Sequence, residues 1–273
     1  MDPFSSFSAD QDEHVRQTNA MAWDRMAKFA HPLAQPVRDD ELEKPLAVVD
    51  EIGWLGGDIR GWRVLCLAAG GGRHSALYAL AGASVTVVDL SRGMLELDRQ
   101  VAAERKLEMR LFQASMQSLS MLTDAEFDLV IHPVSTCYVQ EVGSVFKEVS
   151  RVLRDGGLYV SQHKQPTNLQ ASLQPKAGYY TIEHPVGNRQ PVTVAESPSR
   201  LREPGTLEFA HSLESILGGI CRAGMVIEDL VEPRHGKPDQ PVGSFAHRCH
   251  FLPPYIRVKA RKRSSAVERK IIL

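Results

Sequence analysis

Cysteine is scarce in this chain of 273 residues, and the four present, Cys66, Cys137, Cys221 and Cys249, nowhere fall in a C-x-x-C spacing. The usual signs of a zinc ribbon or a dithiol redox site are therefore missing, and reduced thiols in a cytoplasmic protein are the expectation. No run of about 18 apolar residues occurs, so a membrane-spanning helix is not expected. The N-terminal MDPFSSFSADQDEH has neither the basic start and apolar centre of an export signal nor the arginines of a transit peptide. Net charge is only −1, from 32 basic and 33 acidic residues, which denies the chain a global attraction to nucleic acid or anionic membranes. Internal repeats and low-complexity tracts are absent too. What remains is a soluble, intracellular, globular protein, and an apolar content of 43% is enough for a full core.

What is present has a rhythm. Polar residues 1–13 precede a helical stretch over 14–29, in which Trp23 and Met26 share a face. Pro32 and Pro36 break that pattern. A second helix is expected over 40–52, ending at Gly53. From Trp62 onward, short apolar strands alternate with helices: strands at 63–68, 84–89, 108–113, 127–132 and 157–163, helices at 73–81, 92–105 and 141–153. The first two strands are continuously apolar, as when helices cover both faces of a parallel, doubly wound sheet. The rhythm lapses over 164–210, a segment too long for an ordinary connection and read as an insertion over the site, with strands of its own near 178–183 and 192–195. A helix over 212–223, a strand at 225–231, a loop and a final strand at 255–261 follow. Residues 262–273 form a basic tail, expected to be flexible.

The stretch WRVLCLAAGGGRHSALYALAGASVTVVDLS, residues 62–91, concentrates the functional signal. Strand, glycine turn, helix, strand and terminal acid come in order. Glycine lets a ligand approach the backbone, the helix start can offer N–H groups, and an acid ending the second strand can accept hydrogen bonds from vicinal ribose hydroxyls. An adenosine-type ligand is the expectation. The G-x-G-x-x-G register of dinucleotide folds is missing, because Arg73, His74 and Ser75 follow the glycines.

This order resembles the class I S-adenosylmethionine-dependent methyltransferases, whose motif after the first strand is G-x-G-x-G. Ala68 stands at the first glycine, and Gly70 and Gly72 at the second and third; Cys66 stands where the family often has an acid. The similarity runs over about 200 residues, from Trp62 to Arg263. It implies a seven-stranded α/β sheet, mostly parallel with an antiparallel final strand, with S-adenosyl-L-methionine as cofactor. The domain is expected over 61–261, behind an N-terminal helical lid over 1–60. Asp89 matches the ribose-binding acid, with Leu90 beside the adenine. Gln113-Ala114-Ser115-Met116 matches the adenine loop, with Ser115 in place of a common aspartate. FDLVIHPVSTCY matches the substrate-facing strand, EVSRVLRDGGLYVSQHK the next helix and strand, and HSLESILGGICRAGMVIEDLVEP with YIRVKAR the closing elements. The implied cofactor contacts are Trp23, Ala68, Ala69, Gly70, Gly72, Asp89, Leu90, Ser115, Met116 and His132.

Methyl transfer is an in-line displacement, so alignment matters most, and a base is needed only when the acceptor must lose a proton. His132 and His163, ending the fourth and fifth strands, are the candidate catalytic residues. Tyr138, Tyr179, Tyr180, His184 and Arg189 are candidate substrate contacts. N-P-P-Y, which holds an exocyclic amine or amide, is absent. His247, Cys249 and His250 match no standard zinc spacing, so no metal is expected. Arg257, Lys259, Arg261, Lys262 and Arg263 make a basic strand face without an aromatic platform, which favours a small-molecule acceptor over nucleic acid. The alternatives are an RNA methyltransferase, a non-catalytic protein binding the same cofactor, and an NAD-dependent oxidoreductase.

Overall fold

The computed structural model describes residues 9–187, 190–192 and 201–264. Seven strands form one sheet in the order β3-β2-β1-β4-β5-β7-β6. They are β1 (Arg63–Leu67), β2 (Ser84–Asp89), β3 (Met109–Gln113), β4 (Phe127–His132), β5 (Leu153–Lys164), β6 (Met225–Val231) and β7 (Tyr255–Lys262). Strands β1 to β5 pair in parallel, and β7 runs antiparallel between β5 and β6. Val64, Leu65, Cys66 and Leu67 of β1 are all buried, so both faces of the sheet centre are covered. One core joins Leu65, Leu67, Phe127 and Tyr159 to helix α5 (Gly143–Val152). The opposite core joins Val64, Cys66, Val85 and Ile131 to Tyr78 of α3 (His74–Leu80).

Chain reversal falls between β1 and β4, each of which carries its other neighbour on the far side. A crevice outside the carboxyl ends of β1, β2 and β4 follows from that topology. Helix α4 (Arg92–Arg105) packs beside it, with Ser91 as N-cap accepting from the Met94 N–H. Helix α1 (Ala9–Lys28) lies across the crevice and touches α4. Asp24 joins the two: its Oδ1 accepts from the Ser91 hydroxyl at 2.6 Å and the Gly93 N–H at 2.8 Å.

Several elements depart from the sequence-based reading. The helix expected over 40–52 is a single turn, α2 (Pro45–Val49), because Pro45 has no N–H and is tolerated only at a helix start. A 3-10 turn over Asp39–Glu41 precedes it. The insertion carries α6 (Pro166–Gln170) and, in place of a strand at 178–183, only isolated bridges from Ala171 to Ile182 and from Lys176 to Tyr179. The strand expected at 192–195 lies, beyond Val192, outside the described residues, as do Arg189 and most of the tail. The helix expected over 212–223 begins as a wider π turn, Glu214–Gly218, and ends as α7 (Gly219–Arg222). The loop before β7 contains α8 (Phe245–Phe251), capped by Ser244.

Helix α8 anchors the insertion. Arg248, 1% exposed, donates to the carbonyls of Asn168, Ala171 and Ser172, so a cation closes the C-terminal end of α6. His247 Nδ1 and the Tyr180 hydroxyl lie 2.9 Å apart. That pairing is what FAHRCH serves here.

Candidate functional site

The turn after β1 is shaped by contacts a side chain would destroy. A Cβ on Gly70 would stand 2.9 Å from Met94 Cβ and 3.0 Å from Asp89 Oδ2. Ala68 takes a left-handed φ of 47°, a conformation that favours glycine, although it carries a Cβ. Asp89, ending β2, accepts from the Gly70 N–H at 2.9 Å and the Ser91 N–H at 2.8 Å. Burial pushes its pKa up, and those hydrogen bonds pull it back.

Asp98 on α4 completes the turn from behind and carries no motif signal. It is fully buried and accepts from the N–H groups of Gly71 and Gly72, each at 3.0 Å, and from the Ser75 hydroxyl. Burial raises its pKa to about 6 against those hydrogen bonds. The amides of residues 70–72 point inward to Asp89 and Asp98 and are not offered to a ligand. A pyrophosphate needs such donors, whereas a cofactor with a sulfonium centre does not. Gly72 sits behind the turn, where a Cβ would meet Val101 at 2.7 Å, and does not line the cavity.

A cavity of about 540 Å³ opens in front of this turn. Trp23, Ala68, Ala69, Gly70, Asp89, Leu90, Ser115, Met116, His132 and Tyr138 all line it, so residues from six separate segments converge. Trp23 meets Tyr138 edge-on, with centroids 6.0 Å apart. Asn19, one turn earlier on α1, donates to the carbonyls of Tyr138 and Leu207 and accepts from the Leu207 N–H at 2.7 Å. Helix α1 thereby ties the turn after β4 to the insertion. The Ser115 hydroxyl is occupied locally by the Gln117 N–H at 3.2 Å.

His132 is 1% exposed, with Nδ1 2.8 Å from the Tyr159 hydroxyl and Nε2 2.6 Å from the Ser135 hydroxyl. Burial lowers its pKa to about 3. The imidazole is neutral at pH 7 and a poor proton acceptor, because charging it costs desolvation with no anion nearby. The expectation of a base at His132 is corrected to a residue that orients Ser135 in the cavity wall. His163 is fully buried off the cavity, with Thr136 Oγ1 and Ser161 Oγ each 2.9 Å from a ring nitrogen, and burial holds its pKa far down. It supports the β4 turn and does not reach the crevice.

The insertion's expected substrate contacts fare differently from Tyr138. Tyr179 is 74% exposed and lies away from the cavity. Tyr180 is committed to α8, and His184 lies outside the lining. The insertion instead contributes Glu203, which sequence reasoning missed because nothing in SRLREPGTLE marks a buried carboxylate.

Comparison with known proteins agrees with this geometry. A methyltransferase-domain family profile matches residues 65–161. An uncharacterized methyltransferase of Bacillus subtilis, YbaJ, is 30% identical over 232 residues, 80% of this chain and 90% of that protein. Ubiquinone biosynthesis O-methyltransferase of Azotobacter vinelandii is 30% identical over 213 residues, 76% of this chain and 84% of its own. The crystal structure of an S-adenosylmethionine-dependent methyltransferase from Mesorhizobium loti superposes with a TM-score of 0.59 at 24% identity, over 75% of this chain and 93% of the other, and shows the shared fold. A glycine turn, a strand-end acid and this sheet order define a class I Rossmann-like methyltransferase site. The chain belongs to the S-adenosylmethionine-dependent methyltransferase family, and its cofactor is S-adenosylmethionine. The oxidoreductase alternative falls with that assignment.

Proposed function

We propose that the protein transfers the methyl group of S-adenosylmethionine to a small-molecule acceptor, in the cytoplasm. The observation that carries this reading is the cavity running from the glycine turn to Glu203 of the insertion, with Trp23 of α1 and Tyr138 in its wall, whose size of about 540 Å³ suits a cofactor and a small acceptor. The cofactor supplies a methyl carbon bonded to a sulfonium. Gly70 gives it close access to the backbone, Asp89 holds the ribose, and Leu90, Ser115 and Met116 border the adenine. Trp23 and Tyr138 roof the reacting end and keep water out, so alignment supplies most of the rate. A membrane role has no support from the helices, since none among the described residues is long and apolar enough to cross a bilayer.

An RNA acceptor is disfavoured by the pairing of the basic strand. Arg257 bonds to Gln162 at 2.7 Å and meets Glu51; Lys259 and Arg261 both meet Glu228. Lys262 donates to the Leu153 carbonyl. Charges already paired with carboxylates of the same chain release few counterions from nucleic acid. The name of the Azotobacter relative supports oxygen as the acceptor atom. Calorimetry with S-adenosylmethionine and S-adenosylhomocysteine tests the cofactor half: micromolar binding lost in Asp89→Ala is expected. Labelled methyl transfer to small-molecule extract but not to bulk RNA tests the acceptor half; the reverse partition overturns it.

A further inference from the structure

Beneath the cavity floor lies a buried ionic cluster that the cofactor site does not use. Lys164, ending β5, is 4% exposed and its ammonium bonds to Glu203 and to Glu208, the latter at 2.8 Å. Arg202 meets Glu208 at 3.0 Å. Two cations thus face two carboxylates, but unequally. Glu208 lies between Lys164 and Arg202, which hold its pKa down, whereas burial pushes that of Glu203 up. Glu203 is also the one of the four that lines the cavity.

Beside it stands Tyr138, 8% exposed. The Tyr138 hydroxyl faces Glu203, and the two shift each other's pKa, but the contact falls short of hydrogen-bonding geometry and leaves the hydroxyl unsatisfied. A buried hydroxyl without a partner is costly, on the order of 1–3 kcal/mol, and marks a place completed by something else. The loop holding Glu203 is fixed: Thr206 donates to the Glu203 carbonyl at 2.9 Å, and Leu207 is clasped by Asn19 of α1. A group so placed keeps one position against the crevice.

We propose that Glu203 is the general base at the acceptor end of the cavity, and that the Tyr138 hydroxyl positions a neutral, phenol-like hydroxyl acceptor beside it. The proposal rests on the methyl-transfer reading. As the acceptor oxygen's lone pair forms a bond to the methyl carbon, the carbon–sulfur bond breaks and its pair stays on sulfur as a neutral thioether. The acceptor's proton passes to Glu203 and leaves to solvent after product release. Charge balances, because one sulfonium and one carboxylate are consumed together. A carboxylate wall repels acidic acceptors, and an amine arriving neutral needs no base. A phenol, with a pKa of about 10, needs one and is acidic enough to use it. Trp23, Tyr138 and Tyr255 supply flat apolar walls for its ring. The charged and titratable groups facing Glu203 are Lys164 and Tyr255 from the sheet, Tyr138 and Cys137 from the turn after β4, and Arg202 and Glu208 from its own loop. Arg16 of α1 lines the same cavity.

The test uses the full chain, methyl-labelled S-adenosylmethionine, and catechol, phenol and aniline as probes. Methylation of catechol or phenol, with aniline untouched, is expected. Glu203→Gln should lower kcat by about 10²–10⁴-fold and abolish the acid limb of kcat/KM, with S-adenosylhomocysteine affinity unchanged. Tyr138→Phe, which removes a hydroxyl held by no well-formed hydrogen bond, should fold normally and raise KM for catechol about tenfold with kcat little altered. Cofactor binding without transfer to either hydroxyl probe, preference for aniline, a fully active Glu203→Gln or an unchanged KM in Tyr138→Phe overturns the proposal. Absence of S-adenosylhomocysteine binding overturns the cofactor reading beneath it, which separates the two failures.

Discussion

Replacing Gly70 with alanine is the sharpest probe of how the turn after β1 works. The backbone at Gly70 is not left-handed, so the substitution adds a methyl group and no torsional strain. That methyl group would sit 2.9 Å from Met94 Cβ and 3.0 Å from Asp89 Oδ2. Ordinary contact begins near 3.4 Å, so one partner must retreat by about half an ångström. Met94 Cβ is fixed to the first turn of a capped helix, so that contact is relieved only by a shift of the turn at residue 70, and the Asp89 carboxylate must retreat as well. Its retreat stretches the 2.9 Å bond from the Gly70 N–H, a bond to a charged acceptor with a contribution of about 1.5–3 kcal/mol. Overpacking adds about 1 kcal/mol or more. A destabilisation of about 3 kcal/mol follows, or a fall in Tm of roughly 6–12 °C for a domain of this size. Displacing the ribose-binding acid should also weaken S-adenosylhomocysteine binding by roughly 30-fold, read by calorimetry. Gly56→Ala is the companion. Its φ is +76° with nothing within 4 Å, so it should lose about 1 kcal/mol of stability and leave cofactor affinity alone. If Gly70→Ala melts within a degree of the parent and binds within threefold, the tight-approach argument is wrong.

Two further perturbations address the lid and the buried histidines. Asp24→Ala removes the side chain through which α1 holds the first turn of α4, so stability should fall by about 1 kcal/mol and amide exchange across Ala9–Lys28 should quicken; unchanged exchange there would show that Asp24 is not the tie. His163 has a folded pKa far below its unfolded value of about 6.5, so below that pH the unfolded chain takes up a proton that the folded chain refuses. Its stability contribution is present above pH 6.5 and is lost as pH falls. The stability gap between the parent and His163→Gln should therefore shrink by about 1.4 kcal/mol per pH unit below 6.5 in denaturant titrations, and a gap constant from pH 7 to 5 would refute the burial argument.

What was legible in the sequence follows the range of the interactions that encode it. Strands β1 and β2 announce themselves because burial on both faces forces continuous apolar runs, and Gly70 and Asp89 because turn and strand end are fixed by local backbone geometry. Strand β7 was readable as a strand from the alternation of Ile256, Val258 and Ala260 with basic residues, whereas its antiparallel sense was implied only by the family resemblance. Helix α2 was over-read because apolar periodicity outweighed Pro45, a single residue with a veto over the preceding turn. Asp98 was invisible for a different reason: it occupies an ordinary helical position, and only the fold brings three donors from the glycine turn and α3 to it.

The same distinction explains why the histidines misled while Glu203 stayed hidden. A histidine at a strand end suggests a base because its free pKa lies near neutrality, but that inference assumes water around the ring. Burial of His132 and His163 removes the water, and no carboxylate replaces it, so neutral imidazoles become scaffold for Ser135 and Thr136. Glu203 meets the reverse circumstance. It is buried where Lys164 and Arg202 are already shared with Glu208, so its charge is incompletely compensated and its carboxylate opens on the cavity. Proton-transfer capacity at this site is a property of how many charges share an enclosed volume. That number is set by contacts 39 and 44 residues apart between β5 and the insertion, a separation at which residue type alone carries no information.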